Sequence, residues 1–231
     1  MEDAKGMRLA SLYSGGKDST FACMLMQGQG HEVPVLITIR PENPASPIFH
    51  AINLDMVPLL AEAMGKELRV IPSQGEEAED LEALRLALEN LEVDGIITGA
   101  IASDYQWDRI NGVCEKLGLR VFSPLWRKDQ ALLLREMVEA RLSAMLVGTF
   151  AEGLDKSWLG RVLDAAAVDE MLQLTGRWRL NPCGEGGEYE TLTLDSPLHE
   201  RPLRILESRM VVTRDTARLE VLRAELGPRH A

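Results

Sequence analysis

Six consecutive residues could bind phosphate: Ser14, Gly15, Gly16, Lys17, Asp18 and Ser19. The two glycines let backbone N–H groups turn toward a ligand without a Cβ in the way. The lysine adds a positive charge, the serines add hydroxyl donors, and the carboxylate of Asp18 could hold Mg²⁺. The segment therefore predicts a phosphate-binding loop, with ATP as the expected ligand. The structural alternative is a capped turn with a tolerated lysine.

The elements on either side place this loop at one end of a parallel sheet. A strand-like run over residues 8–13 precedes it, and apolar spacing predicts a helix over residues 17–29. Strands and helices alternate as far as residue 123, including a helix predicted over residues 108–117. This alternation is typical of a doubly wound α/β fold, for which we expect a mainly parallel five-stranded sheet. If the strand order is 3-2-1-4-5, it reverses between the first and fourth strands.

The second half of the chain is less regular and predicts a smaller α+β domain. A soft boundary near Trp126 divides the chain into a nucleotide-binding domain of residues 1–126 and a substrate-binding domain of residues 127–231. Helices are predicted over residues 130–141, 168–175 and 216–226, and strands over residues 144–149, 192–194 and 203–212. The Pro41–Pro47 segment has three prolines and no periodicity, so we predict a mobile loop there.

The loop after the fourth strand should share a crevice with the phosphate loop. Ligands of doubly wound sheets bind where the strand order reverses, here between the first and fourth strands. We therefore assign Gly99 and Ile101 to the nucleotide side, and four side chains to substrate binding: Ser103, Tyr105, Gln106 and Arg109. The alternative is an ordinary helix entrance, with Asp104 as the N-cap and Arg109 in a surface ion pair.

A second unusual segment runs from Asn181 to Thr191 and mixes three glycines, three glutamates and a tyrosine. Such a composition cannot form a packed core element. From the residues alone, a solvated acidic hairpin and a binding loop are both open.

Composition narrows the classes of partner. The 25 basic and 36 acidic residues give a net charge of −11, which disfavours broad nucleic-acid binding. The three cysteines are scattered without a CxxC pair, which favours reduced thiols. No apolar run is long enough to span a membrane, so we expect a cytoplasmic protein without membrane association.

The loop Ser14 to Ser19 resembles the SGGxDS signature of the PP-loop ATP pyrophosphatases, which have the adenine nucleotide alpha hydrolase-like fold. Further segments extend the resemblance in order along the chain: TGAIASDYQWDR, PLW at residues 124–126, AEGLDKSWLGR at residues 151–161 and CGEGGEYETL. Together they are similar to the diphthine-ammonia ligase family.

The resemblance implies ATP-dependent amidation of diphthine, a modified histidine on translation elongation factor 2, with ammonium as the nitrogen donor. It implies catalytic roles for Lys17, Asp18 and Ser19, with Mg²⁺ at Asp18. ATP would bind the loop, His50, Gly99 and Ile101. The second segment would lie on the substrate side, through Glu185, Gly186, Gly187, Glu188, Tyr189, Glu190 and Thr191. A homodimer is compatible with this assignment.

We add a hypothesis about the acidic segment. Diphthine carries a trimethylammonium group, which carboxylates and an aromatic face hold best, so Glu185, Glu188, Glu190 and Tyr189 are candidate partners. Two other functions stay open: a PP-loop enzyme that amidates or thiolates a metabolite or tRNA, and a nucleotide-binding sensor without turnover.

Overall fold

The computed structural model describes residues 6–43, 46, 48–49, 52–214 and 216–230. His50 and residues 44, 45 and 47 of the predicted mobile loop lie outside the described residues. The chain divides into two compact units, the first formed by Met1–Ser14, Asp18–Ala51 and Lys66–Trp126. The second unit is formed by Gly15–Lys17, Ile52–Gly65 and Arg127–Ala231. The predicted domain division at residue 126 stays a prediction.

Helices and strands alternate in the first half of the chain. The helices are α1 (Lys17–Gly28), α2 (Val57–Ala63), α3 (Glu77–Leu88), α4 (Asp104–Lys116), α5 (Gln130–Glu139) and α6 (Ala165–Trp178). The strands are β1 (Arg8–Leu12), β2 (Glu32–Pro41), β3 (Glu67–Ser73), β4 (Gly95–Ile97), β5 (Arg120–Phe122), β6 (Ser143–Thr149), β7 (Tyr189–Asp195), β8 (Leu203–Val212) and β9 (Ala217–Leu226).

The first unit contains a parallel five-stranded sheet, which confirms the predicted fold class. Its order, β3-β2-β1-β4-β5, is the one that the expected crevice requires. β1 lies in the middle, paired with β2 on one side and β4 on the other. Apolar side chains of β2 and β4 pack with those of α3 and α4 in one continuous core. The order therefore reverses between β1 and β4, and the ends of these strands are the expected ligand-binding edge.

A buried carboxylate anchors part of the segment that follows β2. Both oxygens of Asp80 on α3 accept hydrogen bonds from serine hydroxyls, one from Ser73 and one from Ser46 at 2.5 Å. The Ser46 hydroxyl in turn accepts the backbone N–H groups of Ile48 and Phe49. Ser46 is thus fixed to α3, and mobility of the whole Pro41–Pro47 segment stays a prediction.

The second unit contains an antiparallel four-stranded sheet of order β7-β6-β9-β8. The helix predicted over residues 216–226 is wrong, because Ala217–Leu226 forms β9 and pairs along its length with β8. Arg, Glu, Leu and Ala in this run favour a helix by intrinsic propensity, but tertiary pairing overrides that preference. The alternation of Ala217, Leu219 and Val221 was the signal for a strand.

Two smaller features complete the description. The cysteines Cys23, Cys114 and Cys183 are buried and form no disulfide, and burial raises the pKa of Cys23 to about 11. Within the described ranges, no helix combines the length and apolar character that a membrane span needs.

Candidate functional site

The loop that follows β1 has the backbone that a phosphate loop needs. Gly15 has φ +80°, a conformation that side chains with a Cβ rarely adopt, and a Cβ there would lie 3.0 Å from the Leu60 side chain. The Ser19 hydroxyl accepts the backbone N–H of Ser14 at 3.3 Å and lies 3.3 Å from the Ser14 hydroxyl. α1 begins at Lys17, so the loop ends at a helix N-terminus, where anions are favoured.

Gly99, at the end of β4, lies directly against the start of α1. A Cβ at Gly99 would be 2.8 Å from the Ser19 backbone nitrogen and 2.9 Å from the Asp18 carbonyl carbon. Neither backbone atom can move without shifting the helix. The first unit therefore brings Gly99 together with Asp18 and Ser19, as the reversal of strand order predicts. Ile101 is fully buried beyond Gly99.

Lys17 is buried, with an exposed fraction of 2%. Its ammonium donates a hydrogen bond to the Cys183 carbonyl at 2.5 Å and lies 4.9 Å from the centre of the Tyr189 ring. Its backbone N–H donates to the Thr191 hydroxyl at 3.1 Å. A buried cation needs such partners, because loss of its hydration costs several kcal/mol. The second glycine-rich segment therefore holds the loop lysine.

β7 also binds the loop through the main chain, since the backbone N–H of Thr193 donates to the Gly15 carbonyl at 2.8 Å. Thr191 and Thr193 together fix both ends of the Gly15–Lys17 stretch. The phosphate loop is thus contacted by Tyr189 and Thr191, which the resemblance puts on the substrate side. Cys183, which lies just before the residues assigned in this way, contacts it as well.

The segment from Asn181 to Tyr189 is itself tightly built. The Glu188 carboxylate accepts the backbone N–H and the side-chain amide of Asn181 through one oxygen, at 2.8 and 2.7 Å, and the backbone N–H of Gly186 through the other. The Tyr189 hydroxyl donates to the Pro182 carbonyl at 2.6 Å. These contacts engage Glu188 and Tyr189 within the chain, and binding of a trimethylammonium group by Glu185, Glu188, Glu190 and Tyr189 stays a prediction.

Two residues of the loop after β4, Ser103 and Gln106, make hydrogen bonds within the first unit. Ser103, and not Asp104, is the N-cap of α4: its hydroxyl accepts the backbone N–H of Gln106, so the helix begins at Asp104 and not at residue 108 as predicted. The Gln106 side chain donates to the Ile48 carbonyl at 2.5 Å.

Arg109 and Tyr105 both donate hydrogen bonds to Glu77 of α3, and the Arg109 guanidinium lies 4.1 Å from the centre of the Tyr105 ring. The two hydrogen bonds lower the pKa of Glu77. The ion pair of Arg109 with Glu77 matches the structural alternative for this residue. Substrate binding by Ser103, Tyr105, Gln106 and Arg109 stays a prediction.

The oxygen donors of the loop suit Mg²⁺. Ser14 and Ser19 offer hydroxyls and Asp18 a carboxylate, and Mg²⁺ bound with a nucleotide takes one or two carboxylates together with phosphate oxygens and water. In the part of the chain that the structure describes, no group of three or more His, Cys, Asp or Glu side chains could hold a metal ion. The donor set of the loop would suit a metal ion that binds together with a nucleotide.

Sequence reasoning missed the Cys183 carbonyl and Thr193. Both residues contact the loop through main-chain atoms, so the identity of their side chains does not predict the contact. The density of glycines between residues 184 and 187 marks the segment as unusual, but not as a neighbour of a loop more than 160 residues away along the chain.

Family models match most of the chain. The model described as the diphthamide synthase N-terminal domain matches residues 7–121, and the model described as the diphthamide synthase C-terminal domain matches residues 129–226.

Curated relatives agree with the family models. The human diphthine–ammonia ligase is 38% identical over 229 residues, which cover 89% of this chain and 85% of that protein. The zebrafish (Danio rerio) diphthine–ammonia ligase is 39% identical, with 91% of each chain covered. The Schizosaccharomyces pombe diphthine–ammonia ligase is 37% identical, but the alignment covers 37% of that longer protein and 89% of this chain.

A solved structure, the predicted subunit of a tRNA methyltransferase from Methanocaldococcus jannaschii, is 16% identical with a TM-score of 0.42, covering 74% of this chain and 88% of that one. That likeness is too weak to support an argument.

The parallel sheet, the glycine loop at its reversal point and the family models define a ligase of the PP-loop nucleotide-binding class. Within that class, the chain belongs to the diphthamide synthase family.

Proposed function

We propose that this chain catalyses the ATP-dependent amidation of the diphthine carboxylate on translation elongation factor 2, with ammonium as the nitrogen donor. The observation that carries the proposal is the agreement of both family models with a phosphate loop at the reversal point of the sheet. The proposed cofactors are ATP and Mg²⁺, and the proposed location is the cytoplasm.

The proposed reaction has two steps. A carboxylate oxygen of diphthine attacks the α-phosphorus of ATP, so that a bond to AMP forms and pyrophosphate leaves. Ammonia then attacks the acyl carbon, AMP leaves with the bonding electrons, and one proton is released to solvent. Activation is needed because oxide is a poor leaving group and AMP is a good one.

The chain's own residues would stabilise the charge that develops on the phosphates. Backbone N–H groups of the loop and the N-terminus of α1 are oriented before the reaction, so they need no reorganisation during it. Lys17 would exchange the Cys183 carbonyl for a phosphate oxygen when ATP binds. Mg²⁺ bound at Asp18 would neutralise part of the triphosphate charge.

Pyrophosphate release tests this proposal. We expect multiple turnovers only when ATP, ammonium and diphthine-bearing elongation factor 2 are all present. Without ammonium, an acyl-adenylate mechanism gives a burst of about one pyrophosphate per enzyme, since the first step can proceed once. Glutamine should not replace ammonium.

Variants of the loop test the phosphate role. We expect Lys17→Ala and Asp18→Ala to abolish pyrophosphate release, while Lys116→Ala, which removes an exposed lysine at the end of α4, should leave it unchanged. Thermal unfolding of each variant separates lost chemistry from lost folding. No release by the wild type with all components present favours the sensor, and release that is independent of diphthine favours another acceptor.

A further inference from the structure

A cavity of about 870 Å³ lies entirely within the second unit. One wall is the segment after β6, from Phe150 to Lys156, and the other is formed by residues 212–214, 216 and 217. The volume falls within the range of roughly 300–1,000 Å³ that is typical of small-molecule sites. The first wall belongs to the AEGLDKSWLGR segment, which contributes to the family resemblance but has no role in the function described so far.

The first wall is fixed in place by contacts on several sides. The backbone N–H of Phe150 donates to the Glu188 carbonyl at 2.9 Å. Gly153 has φ +94°, and a Cβ there would lie 2.5 Å from the Trp178 ring, so the close approach to α6 requires glycine. The Asp155 carboxylate accepts the backbone N–H of Ser157 at 2.7 Å. A wall built in this way can hold ligand-binding groups at defined positions.

The described lining residues offer both signs of charge. Glu152 and Asp155 are acidic, Lys156 and Arg214 are basic, and their formal charges cancel. Leu154 and Val212 add apolar surface to the lining. A zwitterionic group finds a partner for each of its charges in such a lining. The methyl groups of a quaternary ammonium, which cannot donate ordinary hydrogen bonds, suit the apolar surface and the carboxylates.

The cavity is close to the loop lysine along the second sheet. Thr149, which lines the cavity, pairs with Tyr189 across the β6–β7 ladder. The Tyr189 ring lies 4.9 Å from the Lys17 ammonium. One strand pair thus separates the cavity lining from the residue that we propose to contact ATP.

We propose that this cavity binds the zwitterionic head of the acceptor side chain, which carries a trimethylammonium group and a carboxylate. Glu152 faces the ammonium, and Arg214 orients the carboxylate before it reaches the α-phosphate. This assignment rests on the proposed function, because that function identifies diphthine as the acceptor side chain. It is an alternative to the hypothesis that Glu185, Glu188, Glu190 and Tyr189 hold the trimethylammonium group.

Steady-state kinetics test the site. We expect Glu152→Gln and Arg214→Gln each to raise KM for diphthine-bearing elongation factor 2 by roughly tenfold, because each removes a hydrogen bond or ion contact to a charged group. KM for ATP should stay within about twofold of the wild type, since the phosphate loop is untouched. Matched controls are Glu139→Gln on α5 and Arg223→Gln on β9, both exposed and outside the cavity, which should change neither constant. Equal KM values for the acceptor in the wild type and both cavity variants would overturn the proposal.

A binding measurement without turnover separates this inference from the proposed function. The probe is glycine betaine, and its matched control is 3,3-dimethylbutanoate, which has the same shape without the positive charge. In methyl-labelled protein, betaine should shift the Leu154 and Val212 resonances of the wild type but not of Glu152→Gln, and dimethylbutanoate should shift neither. Shifts in a protein that releases no pyrophosphate would keep the site and reject the reaction. Equal effects of the two probes, or no shift with betaine, would reject the site.

Discussion

At the scale of single residues, Lys17 is a buried cation that the second glycine-rich segment holds, and the proposed function gives it a phosphate partner when ATP binds. Its ammonium is buried against the Cys183 carbonyl and the Tyr189 ring, contacts that offset part of the cost of lost hydration. The carbonyl and the ring carry no formal charge, so neither of these two contacts neutralises the ammonium. In the proposed function a phosphate oxygen would compete with the carbonyl, because it adds the attraction of a formal negative charge to the hydrogen bond.

The first prediction concerns the hydrogen bond that the Lys17 backbone N–H donates to Thr191. Thr191→Val removes the hydroxyl that accepts the Lys17 N–H and keeps the side-chain shape. We expect the Kd for ATP to rise by roughly three- to tenfold, since a hydrogen bond contributes a net ~0.5–1.5 kcal/mol. Isothermal titration with ATP is the measurement.

Two further variants control for side effects of the change. Thr191→Ser keeps a hydroxyl and should restore most of the affinity. Thr175→Val removes a hydroxyl from α6, where it donates to the Leu172 carbonyl, and should leave ATP binding unchanged. Wild-type affinity in Thr191→Val would mean that the loop does not depend on this contact.

At the scale of elements, β9 depends on one side chain from outside its sheet. β9 pairs with β6 only through Arg218 and Ala217, at one end. Farther along, the Asn53 side chain takes the place of a neighbouring strand: its amide donates to the Leu219 carbonyl at 3.0 Å and accepts the Val221 N–H at 2.9 Å. Asn53 thus satisfies backbone groups that β6 does not reach.

The second prediction concerns this bridge. We expect Asn53→Ala to lower the free energy of unfolding by about 2–3 kcal/mol, because two backbone groups of β9 lose their partner and alanine tolerates φ +55° less well than asparagine. Chemical denaturation is the measurement. Asn90→Ala is the matched control, since Asn90 has φ +58° without such a bridge to a strand, and it should lose only the smaller conformational part. Equal losses in the two variants would show that the bridge contributes nothing.

At the scale of the whole molecule, one buried histidine makes the stability of the fold depend on pH. His199 has an exposed fraction of 4%, and its Nδ1 lies 2.6 Å from the Ser196 hydroxyl. Burial lowers the pKa of His199 from 6.5 to about 4, against a smaller opposite effect of Asp195. The folded protein therefore keeps this imidazole neutral where the unfolded chain already protonates it.

The third prediction follows from this difference. Between about pH 6.5 and pH 4 the unfolded chain binds a proton at His199 that the folded protein does not, so the free energy of unfolding falls as pH falls through this window. The total change attributable to His199 is about 3 kcal/mol, at ~1.4 kcal/mol per pKa unit. Denaturation of the wild type and His199→Gln should give curves that are parallel above pH 7 and converge below pH 6. Curves that stay parallel down to pH 4 would contradict the prediction.

The sequence by itself determined the features that rest on local order. The parallel sheet of the first unit follows from alternating strands and helices, and right-handed crossovers leave few strand orders open, among them the observed β3-β2-β1-β4-β5. The phosphate loop follows from glycines and a lysine between a strand and a helix, and the family follows from motifs that recur in order along most of the chain. Gly99 beside Asp18 is a consequence of that strand order.

Only the tertiary structure decided the contacts between distant segments. Nothing near Lys17 in sequence shows that its N–H binds Thr191, 174 residues away, or that its ammonium binds a main-chain carbonyl. Nor does local propensity show that residues 217–226 form a strand, since β8 and Asn53 supply the hydrogen bonds that make it one. Every residue except proline has the same backbone donor and acceptor. The hydrogen bonds that hold the phosphate loop therefore depend on how the chain packs, and the residue types do not predict them.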